Sequence, residues 1–324
     1  MRLLVLGGTK FLGRAVVECA LARGHSVTLF NRGQTNPDLF PEVEKLRGDR
    51  ERELGPLRRR EWDAVVDPSG YVPRVVQRSA ELLADAVGHY AFISSVSVYA
   101  DFSTPLREDS PLAPLGPEHS SEALRDDYAN YGALKALCEQ VVADAFPGRY
   151  TNVRAGLIAG PHDPTGRFTY WPHRLARGGD VLAPAPPGRK VQFIDVRDLG
   201  AWIVDLSEGR QSGTFNATHP GVPWGELIDS CTRVVDGAAR IVWVSGDFLA
   251  KHGVGEWMEL PLWIQDPQWR GLHQTDVSRA LGAGLNFRPL DDSVRGAFEH
   301  AELTADAGLP AEREAQLLQA WRER

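Results

Sequence analysis

The chain has 324 residues, of which 43% are hydrophobic and 24% are charged, and this composition excludes a wholly disordered protein. Its net charge of −7 gives no reason to expect a polyanionic partner, so we expect no binding to nucleic acid. No apolar run approaches the roughly 18 residues that span a membrane, and we expect neither a membrane segment nor a secretion signal. The three cysteines match no metal-ligand spacing, so we expect no metal site and a cytoplasmic location.

The first 160 residues alternate between short apolar runs and longer helical stretches. The first apolar run, Leu3–Leu6, ends in two glycines, which is typical of a buried strand that leads into a tight turn. The pattern predicts further strands at 27–30, 43–47, 63–67, 90–95 and 150–154, and helices at 12–23, 72–87 and 129–145. Strands that alternate with helices pair in parallel, so we predict a doubly wound α/β sheet.

The composition changes after residue 160, where prolines and glycines cluster and eight of the nine tryptophans lie. Strands are predicted at 191–196 and 214–216, and helices at 198–207 and 223–235. We therefore divide the chain into a nucleotide-binding domain, a smaller C-terminal substrate-binding lobe and a terminal helix. Their predicted bounds are 1–160 plus 190–216, 161–189 plus 217–303, and 304–324, respectively.

A glycine-rich turn stands where the first strand meets the first helix. Glycines at this point let the backbone approach a pyrophosphate, which then binds the free N–H groups of the helix N-terminus. The candidate cofactor-binding residues of this turn are Gly7, Thr9, Lys10, Phe11, Leu12 and Gly13.

The turn resembles the start of extended short-chain dehydrogenases/reductases, the NAD(P)-dependent epimerase/dehydratase family, in which it reads G-x-x-G-x-x-G. Gly7 and Gly13 match this pattern, whereas Lys10 replaces the middle glycine, as in atypical members of the superfamily. The resemblance implies a Rossmann sheet and a nicotinamide dinucleotide cofactor.

The end of the second strand bears on the choice between NAD and NADP. NAD-binding relatives have a carboxylate there for the ribose 2′-OH, whereas this chain has Asn31 and Arg32. Arg32 and Lys10 favour a 2′-phosphate, so we predict NADP as the cofactor. The alternative is that both cations are solvated surface residues and that Asn31 alone binds NAD.

Two further segments resemble cofactor-binding parts of this family. In the Gly48-Asp49-Arg50 segment the resemblance implies that Asp49 receives the adenine amino group, with Arg50 beside it. Ser69 and Gly70 stand where small residues let the backbone lie against the cofactor. A plain loop is the alternative for each segment.

The candidate catalytic residues are Ser95, Tyr131 and Lys135, and Tyr131 and Lys135 are also candidate cofactor-binding residues, placed near the nicotinamide ribose. Tyr131-Gly132-Ala133-Leu134-Lys135 matches the family's Tyr-x-x-x-Lys pattern, and Ser95 lies in a segment that resembles the fifth-strand motif. Residues four apart share one helix face, so we expect the Lys135 ammonium to lower the pKa of the Tyr131 phenol. Tyr131 would then exchange a proton while hydride moves to or from the nicotinamide, and Ser95 would hold the substrate oxygen.

The substrate lobe offers weaker signals. Sugar-nucleotide 4,6-dehydratases carry an Asp-Glu pair after the catalytic Ser or Thr, and Val96 and Ser97 stand there instead, so dehydration by that route is not expected. Polar or aromatic residues that could contact a substrate are Ser97, His162, Tyr170 and Trp171. A core or surface position is the alternative for His162, Tyr170 and Trp171, and a structural role behind the site is the alternative for Ser97.

These observations predict an NADP-preferring oxidoreductase that acts on an alcohol or ketone carbon of a small polar metabolite such as a sugar, polyol or nucleoside. An epimerase that retains its NAD(P) is the first alternative. A non-catalytic RNA-binding protein, similar to chloroplast stem-loop binding proteins, is the second, and the intact Ser95, Tyr131 and Lys135 argue against it. The resemblance also implies a possible homodimer.

Overall fold

The structure is a computed structural model that describes residues 1–301 and 307–324. Its strands are, in chain order, β1 (Arg2–Leu6), β2 (Ser26–Asn31), β3 (Glu44–Arg47), β4 (Trp62–Asp67), β5 (Val87–Ser95), β6 (Tyr150–Ala155), β7 (Ile158–Ala159), β8 (Gly179–Ala185), β9 (Lys190–Val191), β10 (Ile194–Asp195), β11 (Gly213–Ala217), β12 (Val222–Pro223), β13 (Ala239–Ser245), β14 (Glu256–Trp257) and β15 (Leu260–Pro261). Its α-helices are α1 (Phe11–Ala22), α2 (Pro73–Leu83), α3 (Tyr131–Ala145), α4 (Tyr170–Ala176), α5 (Val196–Glu208), α6 (Trp224–Val235), α7 (Gly246–Lys251), α8 (Ser278–Gly282), α9 (Leu290–Glu299) and α10 (Ala311–Arg322). Short 3₁₀ helices cover Gly55–Leu57, Val96–Val98 and Pro267–His273.

A parallel sheet forms the centre of the molecule, with the strand order β11-β6-β5-β4-β1-β2-β3. β1 is buried on both faces of the sheet. Its successive side chains point to opposite faces, and each face is covered by a different hydrophobic cluster. Leu3 and Val5 pack in the hydrophobic cluster that includes α1 and α5. Leu4 and Leu6 pack in the cluster that includes α2 and α3. This architecture confirms the predicted doubly wound α/β fold.

A separate hydrophobic cluster lies in the C-terminal part of the chain, and we call it the C-terminal cluster. It is built around the parallel pair β8–β13 and the helices α4 and α6. Trp171 and Trp224 lie at its centre, with ring centroids 4.8 Å apart and both rings buried. The predicted division into a nucleotide-binding domain and a substrate lobe stays a prediction.

Several predicted boundaries differ from the structure. The strand predicted at 191–196 is two short strands, because β9 pairs with β12 whereas β10 pairs with β7. It ends at Asp195, whose side chain accepts a hydrogen bond from the Arg197 backbone N–H (2.8 Å) and caps α5. The helix predicted at 72–87 ends at Leu83. Of the terminal helix predicted at 304–324, the described part is helical at Ala311–Arg322, whereas 304–306, like 302–303 of the predicted lobe, lie outside the described residues.

No helix in the described ranges is both long enough and apolar enough to cross a membrane.

Candidate active site

A cavity of about 800 Å³ opens at the carboxyl ends of the central strands. Its walls come from the ends of β1, β2, β4 and β5 and from the start of α3. β1 lies between β2 and β4, so the cavity sits where the strand order reverses, and ligands of open α/β sheets bind at such a point. The predicted site residues that line it are Gly7, Thr9, Lys10, Phe11, Leu12, Gly13, Asn31, Arg32, Asp49, Arg50, Ser69, Ser95, Tyr131 and Lys135.

The glycine turn has the tight geometry that close approach to a pyrophosphate requires. Gly7 and Gly8 have φ values of 121° and 91°, which residues with a side chain rarely adopt. A Cβ on Gly8 would lie 2.6 Å from Leu29, and one on Gly13 would lie 3.0 Å from the Gly8 nitrogen. The turn thus seats the N-terminus of α1 directly behind the cavity, and its shape fits a bound dinucleotide.

Beside the glycine turn and the end of β2, the cavity wall carries two solvent-exposed cations, Lys10 and Arg32. Among the described residues, neither side chain has an ion-pair partner. Asn31 is different, because its Nδ2 donates to the Gly7 carbonyl (2.8 Å) and its Oδ1 accepts from the Gly33 N–H (3.0 Å). The Asn31 Oδ1 also accepts from Arg47, a third cation that sequence reasoning missed. Asn31 therefore ties the turn to β2.

Asp49 and Arg50 both line the cavity, but the Arg50 side chain is already bound by other protein groups to a greater extent than that of Asp49. The Asp49 Oδ1 accepts a hydrogen bond from the Glu51 N–H (2.9 Å). The Arg50 guanidinium forms a bidentate ion pair with buried Asp67 (2.7 and 2.6 Å) and also donates to Ser79. Burial would raise the pKa of Asp67, yet the Arg50 guanidinium holds it below its ordinary value. The guanidinium predicted to contact the cofactor is thus held by Asp67.

The Ser69-Gly70 segment follows β4 and packs tightly. The Ser69 hydroxyl donates to the Leu6 carbonyl (2.6 Å), which ties this loop to the end of β1. A Cβ on Gly70 would lie 2.6 Å from the Phe92 ring. Gly70 does not line the cavity, but its carbonyl accepts a hydrogen bond from Lys135 (2.7 Å).

The candidate catalytic residues meet at one wall of the cavity. Ser95 ends β5, and its hydroxyl donates to the Ser97 hydroxyl (3.0 Å). Tyr131 is the first residue of α3, and Lys135 follows one turn later on the same face. The Lys135 ammonium donates to the carbonyls of Gly70 (2.7 Å) and Ile93 (2.5 Å).

The proton affinities of Tyr131 and Lys135 follow from burial. Burial, reinforced by the neighbouring Tyr71, raises the pKa of Tyr131 to about 12, although the Ser95 hydroxyl lowers it. Burial lowers the pKa of Lys135 to about 8. The expectation that Lys135 lowers the pKa of Tyr131 is therefore wrong for this structure, because desolvation of the phenol dominates and the ammonium is directed at backbone carbonyls.

Two further tyrosines flank Tyr131 and were missed in the sequence. The Tyr71 and Tyr128 rings lie 6.4 Å and 6.2 Å from the Tyr131 ring, and both residues line the cavity. Tyr128 is 63% exposed and Tyr71 is 43% exposed. The only signal for Tyr128 was its position three residues before Tyr131, and Tyr71 had no signal beyond its place after Gly70.

The residues predicted to contact a substrate do not line this cavity. Trp171 is fully buried in the C-terminal cluster, where its Nε1 donates to the Pro261 carbonyl (3.0 Å), and Tyr170 packs on it at 5.0 Å. Their predicted substrate contacts are therefore corrected to packing within the lobe. His162 is half-buried, and its ring centroid lies 5.6 Å from that of His300. Ser97 contacts the site by accepting a hydrogen bond from the Ser95 hydroxyl (3.0 Å).

Within the described ranges, no group of three or more His, Cys, Asp and Glu side chains is placed to hold a metal ion.

Comparison with known sequences identifies relatives of this chain. The model of the NAD dependent epimerase/dehydratase family matches residues 3–217. The chain is 28% identical over 248 residues to the epimerase family protein SDR39U1 of Bos taurus, a match that covers 68% of this chain and 75% of that protein. It is 25% identical over 253 residues to the chloroplast stem-loop binding protein of 41 kDa b of Arabidopsis thaliana. That match covers 72% of this chain but 62% of the Arabidopsis protein, which is less than two thirds of its length.

Solved structures of sugar-nucleotide epimerases have a similar fold. The UDP-Glc/GlcNAc 4-epimerase of Campylobacter jejuni superimposes with a TM-score of 0.67 at 16% identity, covering 92% of this chain and 98% of that one. The UDP-glucuronic acid 4-epimerase of Bacillus cereus, solved in complex with NAD, gives 0.65 at 16% identity, covering 93% and 98%. At these identities the likeness concerns the fold.

Proposed function

Because the chain belongs to the NAD dependent epimerase/dehydratase family, we propose that it is an NADP-preferring oxidoreductase that transfers hydride at an alcohol or ketone carbon of a small polar metabolite. The observation that carries this proposal is the convergence of Ser95, Tyr131 and Lys135 on the cavity that the glycine turn also lines. A structural role alone would not require these three groups at the ligand-accessible wall of one cavity.

The protein groups have distinct tasks in this reaction. The bound nicotinamide supplies or accepts the hydride. The Tyr131 phenol, with a pKa of about 12, is protonated at neutral pH and can donate its proton to the substrate oxygen as a carbonyl is reduced. The Ser95 hydroxyl holds the same oxygen and stabilises its developing charge. Lys135 supplies positive charge beneath the site, because an ammonium with a pKa of about 8 is mostly protonated at pH 7.

The chemistry is tested by monitoring nicotinamide absorbance while sugars, polyols and nucleosides are supplied with NADP⁺, or the matching ketones with NADPH. We expect at least one of these classes to exchange hydride with the cofactor. A protein that binds the cofactor but transfers no hydride with any of these classes would contradict the proposed substrate range.

Lys10 and Arg32, which are exposed and have no ion-pair partner within the described ranges, support the preference for NADP. Charge-assisted hydrogen bonds contribute about 1.5–3 kcal/mol each, so two of them favour a 2′-phosphate on the order of 100-fold after desolvation losses. We expect the double variant Lys10→Gly, Arg32→Ala to lose most of this preference. The measurement is the ratio of the dissociation constants of NADH and NADPH.

A matched control removes two exposed cations in the turn before β4, at the amino end of that strand, Arg58→Ala with Arg59→Ala, and should leave the ratio unchanged. Equal affinity of the wild type for NADH and NADPH would contradict the preference. So would a Lys10/Arg32 double variant that keeps its discrimination. Asn31→Asp is a poor probe, because it would remove the donor to the Gly7 carbonyl.

An epimerase with retained cofactor is the second candidate. The similar folds of the sugar-nucleotide 4-epimerases favour it. Such an enzyme oxidises and re-reduces one carbon, so it purifies with bound cofactor and shows no net turnover of added NADPH. Mass spectrometry of the cofactor released from the purified protein separates the two candidates.

RNA binding is the third candidate, and the name of the Arabidopsis relative raises it. The catalytic residue types at the cavity and the net charge of −7 speak against it. A titration with stem-loop RNA at two salt concentrations tests this candidate directly, and we expect no salt-dependent binding.

A further inference from the structure

The loop between β7 and α4 carries a guanidinium group that the proposed reaction does not use. Pro164 and Thr165 of this loop line the same cavity as Tyr131. Arg167 follows two residues later, at a half-buried position. Arg167 does not itself line the cavity, but the loop places this cation two residues from one that does.

The guanidinium of Arg167 has neither a carboxylate nor a carbonyl partner in the part of the chain that the structure describes. Three other enclosed guanidinium groups bind carboxylates, in the pairs Arg50–Asp67, Arg154–Glu139 and Arg174–Glu314. The half-buried Arg149 and Arg189 instead donate to backbone carbonyls. Among the described residues, Arg167 has no hydrogen bond or ion pair, and its Nε atom is buried without an acceptor. A cation that is partly removed from water without a counter-ion is unfavourable unless something else binds it.

An aromatic ring and a carboxyl group lie near Arg167, but among the described residues neither makes a hydrogen bond with it. Its guanidinium carbon lies 5.0 Å from the centroid of the Trp257 ring, a cation–π contact. Burial lowers the pKa of Arg167, and the Asp163 carboxylate, together with the Tyr131 phenol when it is ionised, opposes this shift. Among the described residues the Asp163 carboxyl forms no ion pair with Arg167: its Oδ1 accepts from the Thr165 N–H (2.8 Å), and its buried Oδ2 has no hydrogen-bond partner.

We propose that Arg167 binds a carboxylate or phosphate group of the substrate, so that the metabolite is an anion. This inference rests on the proposed function and narrows its substrate class. The planar fork of N–H donors in a guanidinium matches the oxygens of both groups, and Trp257 fixes the plane of that fork. A neutral metabolite would leave the cation unpaired, so Arg167 also selects against neutral analogues.

The test is calorimetric binding of three hexose probes to the protein in excess NADP⁺. The probes are glucose, glucuronate and glucose 6-phosphate, which share a ring and differ in the charged group. We expect at least one anionic probe to bind about 10-fold or more tightly than glucose. Preference for glucuronate identifies a carboxylate as the ligand group, and preference for glucose 6-phosphate identifies a phosphate.

Variants connect the preference to Arg167. Arg167→Met should bind the anionic probe no more tightly than glucose, and Arg167→Lys should retain part of the preference because it keeps the charge. Arg177→Met is the matched control, since it removes an exposed arginine at the end of α4 and should change nothing. The unfolding temperature of Arg167→Met should not fall, because no ion pair is lost.

The proposal is overturned if anionic and neutral probes bind equally, if no probe binds, or if Arg167→Met keeps the preference. A lower unfolding temperature of Arg167→Met with unchanged probe affinity would show a structural role and would also overturn it. NADP⁺ affinity and hydride transfer are measured separately in the same preparations. Failure of the anion site is thereby distinguishable from failure of the proposed function.

Discussion

Lys135 is an enclosed charge of the candidate site, and its surroundings explain its altered proton affinity. Its side chain is 2% exposed, its ammonium donates to two backbone carbonyls, and the Phe92 ring centroid lies 4.4 Å from Nζ. These contacts compensate part of the desolvation but supply no carboxylate partner, so the pKa falls to about 8.

This shift predicts how stability depends on pH. Between the folded pKa of about 8 and the unfolded value of 10.5, the unfolded chain binds more protons at this site, so the free energy of unfolding rises with pH. In Lys135→Met this rise is absent. We therefore expect the free energy of unfolding of the wild type, relative to that of Lys135→Met, to increase by about 2–3 kcal/mol between pH 7 and pH 10. The measurement is urea unfolding of both proteins at the two pH values. A difference that does not change with pH would contradict the assigned pKa.

At the scale of single residues, the sequence could predict types and spacings but not partners. The Tyr-x-x-x-Lys spacing predicts that Tyr131 and Lys135 share a helix face, and they do. The pairing of Arg50 with Asp67 was not predictable, because it depends on how two different strand ends meet in space. Arg167 had no signal either, since a lone cation in a proline- and glycine-rich loop reads as a solvated residue.

At the scale of elements, the start of α3 is set by its contact with the 3₁₀ helix at Val96–Val98. Gly132 makes this approach possible, because a Cβ at that position would lie 2.0 Å from the Ser97 carbonyl oxygen. The same contact fixes the distance between Tyr131 on the helix and Ser95 at the end of β5. A side chain at residue 132 must therefore displace α3 or the end of β5.

We expect Gly132→Ala to reduce hydride transfer at least 10-fold and to lower the unfolding temperature, because overpacking costs about 1–3 kcal/mol. The assay is hydride transfer under saturating cofactor together with thermal unfolding. Gly282→Ala is the control, since a Cβ there meets nothing within 4 Å. Full activity in Gly132→Ala would show that the spacing of these two elements does not matter.

Element types were predictable where the hydrophobic pattern was strong. The apolar run of β1 predicts a strand buried on both faces, and the structure has it. The prediction of one strand at 191–196 was wrong at its end, because Val, Phe and Ile favour a strand whereas the capping Asp195 begins a helix. The sequence alone could not assign Tyr170 and Trp171 to a cavity or to the core, because their burial depends on how distant segments pack in the C-terminal cluster.

At the scale of the whole molecule, the parallel sheet collects the candidate site from distant parts of the chain. The glycine turn after β1, the end of β5 and the start of α3 all reach the same cavity because parallel strands end at one edge. The loop at Pro164 and Thr165 closes another side of it. The Tyr131 phenol lies at this shared cavity, and the proposed reaction depends on it as the proton donor.

The most direct test is the rate of hydride transfer in Tyr131→Phe, followed by nicotinamide absorbance with the metabolite that the wild type turns over. The change removes the proton donor but leaves the glycine turn intact, so we predict a rate at least about 100-fold lower with nearly unchanged NADPH affinity. Tyr150→Phe, at the opposite end of the sheet, should keep the wild-type rate. A Tyr131→Phe variant that transfers hydride as fast as the wild type would contradict the account.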